Sequence, residues 1–183
     1  MMKLSAFSGS LRKASYNRLL LNAAIELAPP DLSIERLDID DIPLFNGDVE
    51  DPPPPAVAAL RAAMADADGL LIVTPEYNAG VPAVTKNVVD WLSRPPGKSV
   101  LKDLPVGLMG ASTGIFGTVR SQADLRPSLA HNGALVMGTP QVFVGQCKDK
   151  FDADGRLTDE KTRAVLTRFL EALAAWMTRV SPR

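Results

Sequence analysis

Three short stretches carry most of the side chains able to do chemistry. The first, Ser8-Gly9-Ser10-Leu11-Arg12-Lys13-Ala14-Ser15-Tyr16-Asn17, lies between the apolar run Leu4 to Phe7 and the apolar-rich segment Leu19 to Leu27. Ser10, Ser15 and Asn17 offer side-chain donors, Arg12 a cationic fork, and a helix starting near Ser15 free N–H groups. Such a set suits a single terminal phosphate, whose several oxygens need several donors. A polar turn closed by a helix cap uses the same residue types. The pattern Gly-x-Gly-x-x-Gly is absent, as is a Gly-Lys-Ser/Thr ending, so neither a dinucleotide pyrophosphate nor a P-loop nucleotide is encoded.

The second stretch is Pro75-Glu76-Tyr77-Asn78-Ala79-Gly80-Val81-Pro82. Tyr77 can present a flat apolar face, while Asn78 and the backbone offer hydrogen bonds to the rim of a planar heterocycle. Glu76 has no carboxylate neighbour in sequence, which favours a role in orienting the loop over acid–base work. The third stretch, Gly110-Ala111-Ser112-Thr113-Gly114-Ile115-Phe116-Gly117, lets backbone approach a ligand closely. It also matches the Gly-x-Ser-x-Gly elbow of serine hydrolases, and the order Ser112, Asp124, His131 follows theirs. Asp124 and His131, however, fall on the helix that immediately follows, where they cannot converge on the serine. Phe151-Asp152-Ala153-Asp154-Gly155 imitates a calcium loop, but the register that aligns its glycine puts Lys150 and Lys161 at the first and last ligand positions.

With one His and one Cys in 183 residues, no zinc site of the usual kind can be built within the chain. The reactive chemistry must come from carboxylates, hydroxyls or a borrowed group. A net charge of -1 supplies no field for nucleic acid or an anionic membrane, so neither is expected as a partner. A lone cysteine and the absence of a long apolar run or a leader-like start point to a cytoplasmic protein.

The elements that must hold these loops alternate in type. Strands are expected at Met2 to Phe7, around Leu32 to Leu37, at Gly69 to Thr74, at Pro105 to Ala111, and within Ala134 to Val144, the last broken near Gly138 and Pro140. Helices are expected from Ser15, after Pro52 to Pro55, from Pro82 to about Ser93, from Gly117 to about Ala130, and from Thr158 to the end. This alternation specifies an α/β fold, a three-layer doubly wound sheet of five parallel strands, flavodoxin-like with order 2-1-3-4-5, forming one domain over 1–183. Ligands of such sheets bind beyond the carboxyl ends of the strands, where the three stretches stand.

In their order along the chain these motifs resemble the NADPH-dependent FMN reductase family, flavodoxin-like quinone, chromate and azo-dye reductases. The resemblance runs from Gly9 to Asn17, through Pro75-Glu76-Tyr77-Asn78, Lys86-Asn87 and Asp90-Trp91, to Phe151-Asp152 and Thr158-Asp159-Glu160. It implies that Ser10, Arg12, Ser15 and Asn17 hold the 5′-phosphate of FMN. It implies that Pro75, Glu76, Tyr77 and Asn78 line the flavin ring and that Ser112, Gly114 and Gly117 border the ring or ribityl chain. It further implies hydride transfer from NADPH or NADH to the flavin, then electron transfer to a quinone, azo, chromate or flavin acceptor in the same space, with ping-pong kinetics. No side chain need act as an acid or base. Members of the family are typically homodimers or homotetramers. The alternative is a flavodoxin-type electron carrier, which would bind FMN without oxidising NAD(P)H; such carriers are strongly acidic, unlike this chain.

Overall fold

A computed structural model describes residues 1–180 of the chain. Its elements run β1 (Met2–Ser8), α1 (Tyr16–Glu26), β2 (Leu32–Arg36), α2 (Pro55–Ala65), β3 (Gly69–Val73), α3 (Ala83–Leu92), β4 (Pro105–Ala111), α4 (Val119–His131), β5 (Leu135–Val136), β6 (Val142–Val144) and α5 (Glu160–Val180). The sheet has the order β2-β1-β3-β4-β5, every pair is parallel, and β6 also pairs with β4. This is the doubly wound, flavodoxin-like architecture that the alternation of elements specifies.

The fifth position of the sheet is filled in two pieces. Leu135–Val136 pairs with Pro105 and Val106, and Val142–Val144 pairs with Met109 to Ala111. The intervening Gly-Thr-Pro takes the chain out of the ladder, since proline has no N–H to give it.

Alternation along the inner strands explains why they read as unbroken apolar runs. Leu71 and Val73 of β3 face a core shared with Leu20 and Leu21 of α1 and with Leu166, Phe169 and Leu173 of α5. Leu70 and Ile72 face the opposite core, with Leu60 and Met64 of α2, Val88, Val89 and Leu92 of α3, and Leu125 and Leu129 of α4. A strand covered on both faces has no polar side to show. On α3 the inward set is Thr85, Val88, Val89, Trp91 and Leu92, while Val84 is only partly buried. Between β2 and α2 the chain runs as a strap across α3. There Asn87 Nδ2 and Trp91 Nε1 both donate to the carbonyl of Pro43 at 2.8 Å.

Candidate functional site

Parallel register delivers the three stretches to one edge. Ser8 pairs with Val73, and Val73 with Met109, so β1, β3 and β4 end side by side. Gly9 N–H donates to Val73 O and Thr74 N–H to Met109 O, each at 2.9 Å, carrying the ladder one residue into the loops.

In the first loop Ser15 is the N-cap of α1, its Oγ accepting from Asn17 N–H at 3.2 Å. The first turn of α1 contains no acidic residue, so its positive end is uncompensated within the helix. Ser10 is buried; its Oγ lies 3.0 Å from the Tyr77 hydroxyl and accepts from Arg12 N–H at 3.4 Å. Arg12 is exposed, with its guanidinium 6.0 Å from the Tyr16 ring centroid. Arg18, which the motif reading did not single out, braces the loop from behind: Nε donates to Ser10 O at 3.2 Å and Nη2 to Asp40 at 2.5 Å.

Asn17 has a structural use as well. Its carboxamide is buried and bonded in both directions to the peptide groups of Ala111, donating to the carbonyl at 2.9 Å and accepting from the N–H at 2.8 Å. The side chain therefore ties the start of α1 to the end of β4, using its oxygen and one of its two Nδ2–H donors. Its partner lies 94 residues away, which no local pattern could reveal.

The second loop turns tightly. Tyr77 and Gly80 exchange N–H···O bonds of 3.3 and 3.1 Å, and Asn78 and Ala79 between them have φ of 52° and 62°. Two successive positive φ values give a type I′ turn. It lifts Tyr77, 51% exposed, onto the rim of the site. Glu76 points the other way. Its carboxylate accepts from Arg120 N–H at 2.9 Å, Ser121 N–H at 3.3 Å and Arg120 Nη1 at 3.0 Å. The helix's own N-cap residue, Thr118, makes no side-chain cap bond, so Glu76 caps α4 from another loop. Burial disfavours its charge, but those bonds and the Arg120 charge together outweigh burial and hold the carboxyl below its ordinary range.

The third loop is shaped by close approach. A Cβ on Gly110 would lie 2.1 Å from Thr74 O, and one on Gly117, at φ +62°, 2.8 Å from the carbonyl carbon of Phe143. Ser112 Oγ accepts from Gly114 N–H at 3.2 Å. Ile115 and Phe116 project outward, 68% and 58% exposed, and the Arg120 guanidinium stands 5.1 Å over the Phe116 ring. Asp124 and His131 do lie on α4, His131 at its far end. At 1.5 Å per residue that end is roughly 18 Å from the first turn, so no hydrolase triad assembles. Phe151 and Leu157 form an isolated bridge around a turn with Gly155 at φ +79°, and no cluster of metal-binding side chains occurs among the described residues.

The loops thus combine a helix N-terminus with hydroxyl donors, an exposed aromatic rim, and backbone bared by glycine. That donor set fits a phosphate joined to a flat ring system. A concavity of about 870 Å³ between α3 and α4, edged by Lys86, Asp90, Arg94, Lys102 and His131, shares no residue with the loops.

The sequence model of NADPH-dependent FMN reductases matches residues 2–149. The chain belongs to that family. It is 43% identical over 180 residues to an NAD(P)H-dependent FMN reductase of Pseudomonas aeruginosa, spanning 98% of this chain and 97% of that protein. It is 40% identical over 176 residues to a 2-hydroxy-1,4-benzoquinone reductase of a Burkholderia species, covering 96% of each. Among solved structures, the NAD(P)H:(acceptor) oxidoreductase FerB of Paracoccus denitrificans superposes with a TM-score of 0.90 at 34% identity, over 98% of both chains. This family member is an oxidoreductase of the FMN reductase and quinone reductase type. No helix among the described residues is long and apolar enough to cross a membrane.

Proposed function

We propose that the chain binds FMN across the three loops and uses it to oxidise NAD(P)H and reduce a quinone by a ping-pong mechanism. The observation that carries this reading is the uncompensated N-terminus of α1, set beside Ser10, Ser15 and Arg12 at the same edge as the Tyr77 rim. Support comes from the family and from relatives whose names state FMN reductase and quinone reductase activity.

FMN would supply the two-electron chemistry. The residues around it bind and orient. Ser10 and Ser15 hydroxyls, Arg12 and the N–H groups of the first turn of α1 hold the phosphate. Asn17 fixes α1 against Ala111. Pro75, Tyr77 and Asn78 border the ring on one side, and Ser112, Gly114 and Gly117 on the other, where the glycines let peptide groups come near. Glu76 remains ionised and bound to α4, so it holds the loop and does not move a proton. The exposed face of the site, with Leu11, Tyr77, Ile115, Phe116 and Val119, suits an apolar planar acceptor. The same apolar rim favours a homodimer or homotetramer that covers part of it.

The test starts with the apoprotein and FMN. Bound flavin should bleach on anaerobic addition of NADPH or NADH, and a quinone should restore its colour. Flavin that binds but does not bleach would mark an electron carrier instead. Initial rates at several fixed quinone concentrations should give parallel double-reciprocal lines, because each substrate leaves before the next enters. Intersecting lines would overturn the ping-pong order.

A further inference from the structure

Beneath the loops lies a set of hydroxyls that the proposed cofactor contacts do not use. Thr74, Thr85 and Ser121 are each fully buried at 0% exposure. Thr74 Oγ1 donates to Pro75 O at 3.0 Å and lies 3.0 Å from Ser121 Oγ and 3.3 Å from Thr85 Oγ1. Thr85 Oγ1 in turn donates to Gly9 O at 3.5 Å. Ser121 can donate to Thr74 and Thr85 to Gly9, while Thr74 has one proton to share between Pro75 O and Thr85 Oγ1; given to Thr85, it completes an unbroken line from Ser121 to Gly9.

Each end of this chain belongs to a different wall of the site. Gly9 opens the first loop and Pro75 the second. Ser121 sits in the first turn of α4, where the third loop ends and where Glu76 also binds. The contacts are tight as well as polar. A Cβ on Gly9 would fall 1.9 Å from Thr85 Oγ1 and 3.4 Å from Pro75 Cδ, so the first loop can pass only as glycine. Burying three hydroxyls at the end of an apolar strand costs desolvation, and valine at position 74 would fill nearly the same space without it. A polar junction here therefore specifies geometry that an apolar one would leave free.

We propose that Thr74 is a positioning residue that sets the separation between the phosphate end and the ring end of the flavin site. Thr85 carries its branch to the first loop and Ser121 its branch to α4. The inference rests on the FMN reading of the same site. On that reading, losing the Thr85 branch frees the phosphate loop alone, losing the Ser121 branch disturbs the ring end, and losing Thr74 does both.

The experiment is quenching of flavin fluorescence by the apoproteins, with FMN and riboflavin titrated separately. Thr74→Val should weaken FMN about tenfold, equivalent to about 1.4 kcal/mol, and Thr74→Ser should restore it. Thr85→Val should weaken FMN while leaving riboflavin unchanged, whereas Ser121→Ala should weaken both flavins by the same factor. Val57→Ala, a core truncation in α2 away from the loops, should lower thermal stability with no change in either flavin. A merely structural role for the hydroxyls would make all the variants behave like Val57→Ala. Wild-type affinity for both flavins in Thr74→Val overturns the inference alone. If Thr74→Val does not fold, the contrast between Thr85→Val and Ser121→Ala decides, and equal effects on FMN and riboflavin in both overturn it. A wild-type apoprotein that leaves FMN fluorescence unquenched overturns the cofactor reading and this inference with it.

Discussion

Replacing Glu76 by alanine removes a helix cap that the helix does not supply for itself. Two backbone N–H groups of α4, those of Arg120 and Ser121, lose their acceptor, and Arg120 loses its ion pair. Loss of a cap costs about 1 kcal/mol. The missing negative charge at the positive end of the helix adds about 0.5 kcal/mol. The Arg120 side chain is 50% exposed, so solvent screening keeps the ion pair near the lower end of its range, about 0.3 kcal/mol. The total is about 2 kcal/mol, which for a chain of this length lowers Tm by about 4–8 °C. Glu76→Gln keeps one acceptor oxygen and should lose about half as much. Because the folded carboxyl ionises below its ordinary range, its stabilisation is complete above the unfolded value and is lost as pH falls through the folded one. The gap between wild type and Glu76→Gln should therefore be constant from pH 7 to about 5 and close in stronger acid. Thermal unfolding of the apoprotein followed by circular dichroism across that range reads both effects. An alanine variant within about 1 °C of wild type at pH 7, or a glutamine gap undiminished at pH 3, would refute the remote-cap argument.

Other substitutions test other joints. Asn17→Ala leaves both the N–H and the carbonyl of Ala111 without their buried partner and should cost about 2–4 kcal/mol in urea unfolding. Gly110→Ala places a methyl group against Thr74 O and Thr118 Oγ1 and should destabilise by about 2–3 kcal/mol, lowering the urea midpoint. Cys147 is buried, and burial, opposed only in part by its own N–H and the charges of Arg12 and Lys150, raises its thiol to about 11. A disulfide reagent at pH 8 should label the native protein negligibly, with labelling appearing as denaturant is added; rapid native labelling would contradict the burial.

Much of this molecule can be read from local pattern. The Ser15 cap, the glycine spacing of the third loop and the interrupted fifth strand each follow from residues within one element or turn. What escapes is pairing across the sheet. Glu76 meets its partners 44 and 45 residues on, and Asn17 meets Ala111 94 residues on, so their roles depend on register and not on neighbours in sequence. Thr74, Thr85 and Ser121 were hidden differently, because a hydroxyl at the end of an apolar strand or within a helix turn resembles ordinary surface polarity until burial is known. In the second loop, the positive φ of Ala79 had no compositional signal, since glycine or asparagine is the usual residue there.

The split fifth strand also shapes the edge that the sheet would offer to another chain. A sheet that ends in a long bare strand invites the backbone of a neighbour to extend it. Here the edge beyond β4 consists of runs of two and three residues, each too short to template an incoming strand. The opposite edge, β2, is five residues long and ends in exposed Glu35 and Arg36. Neither border offers a long bare strand, so contacts between copies would draw on helices and loops more readily than on the sheet edges.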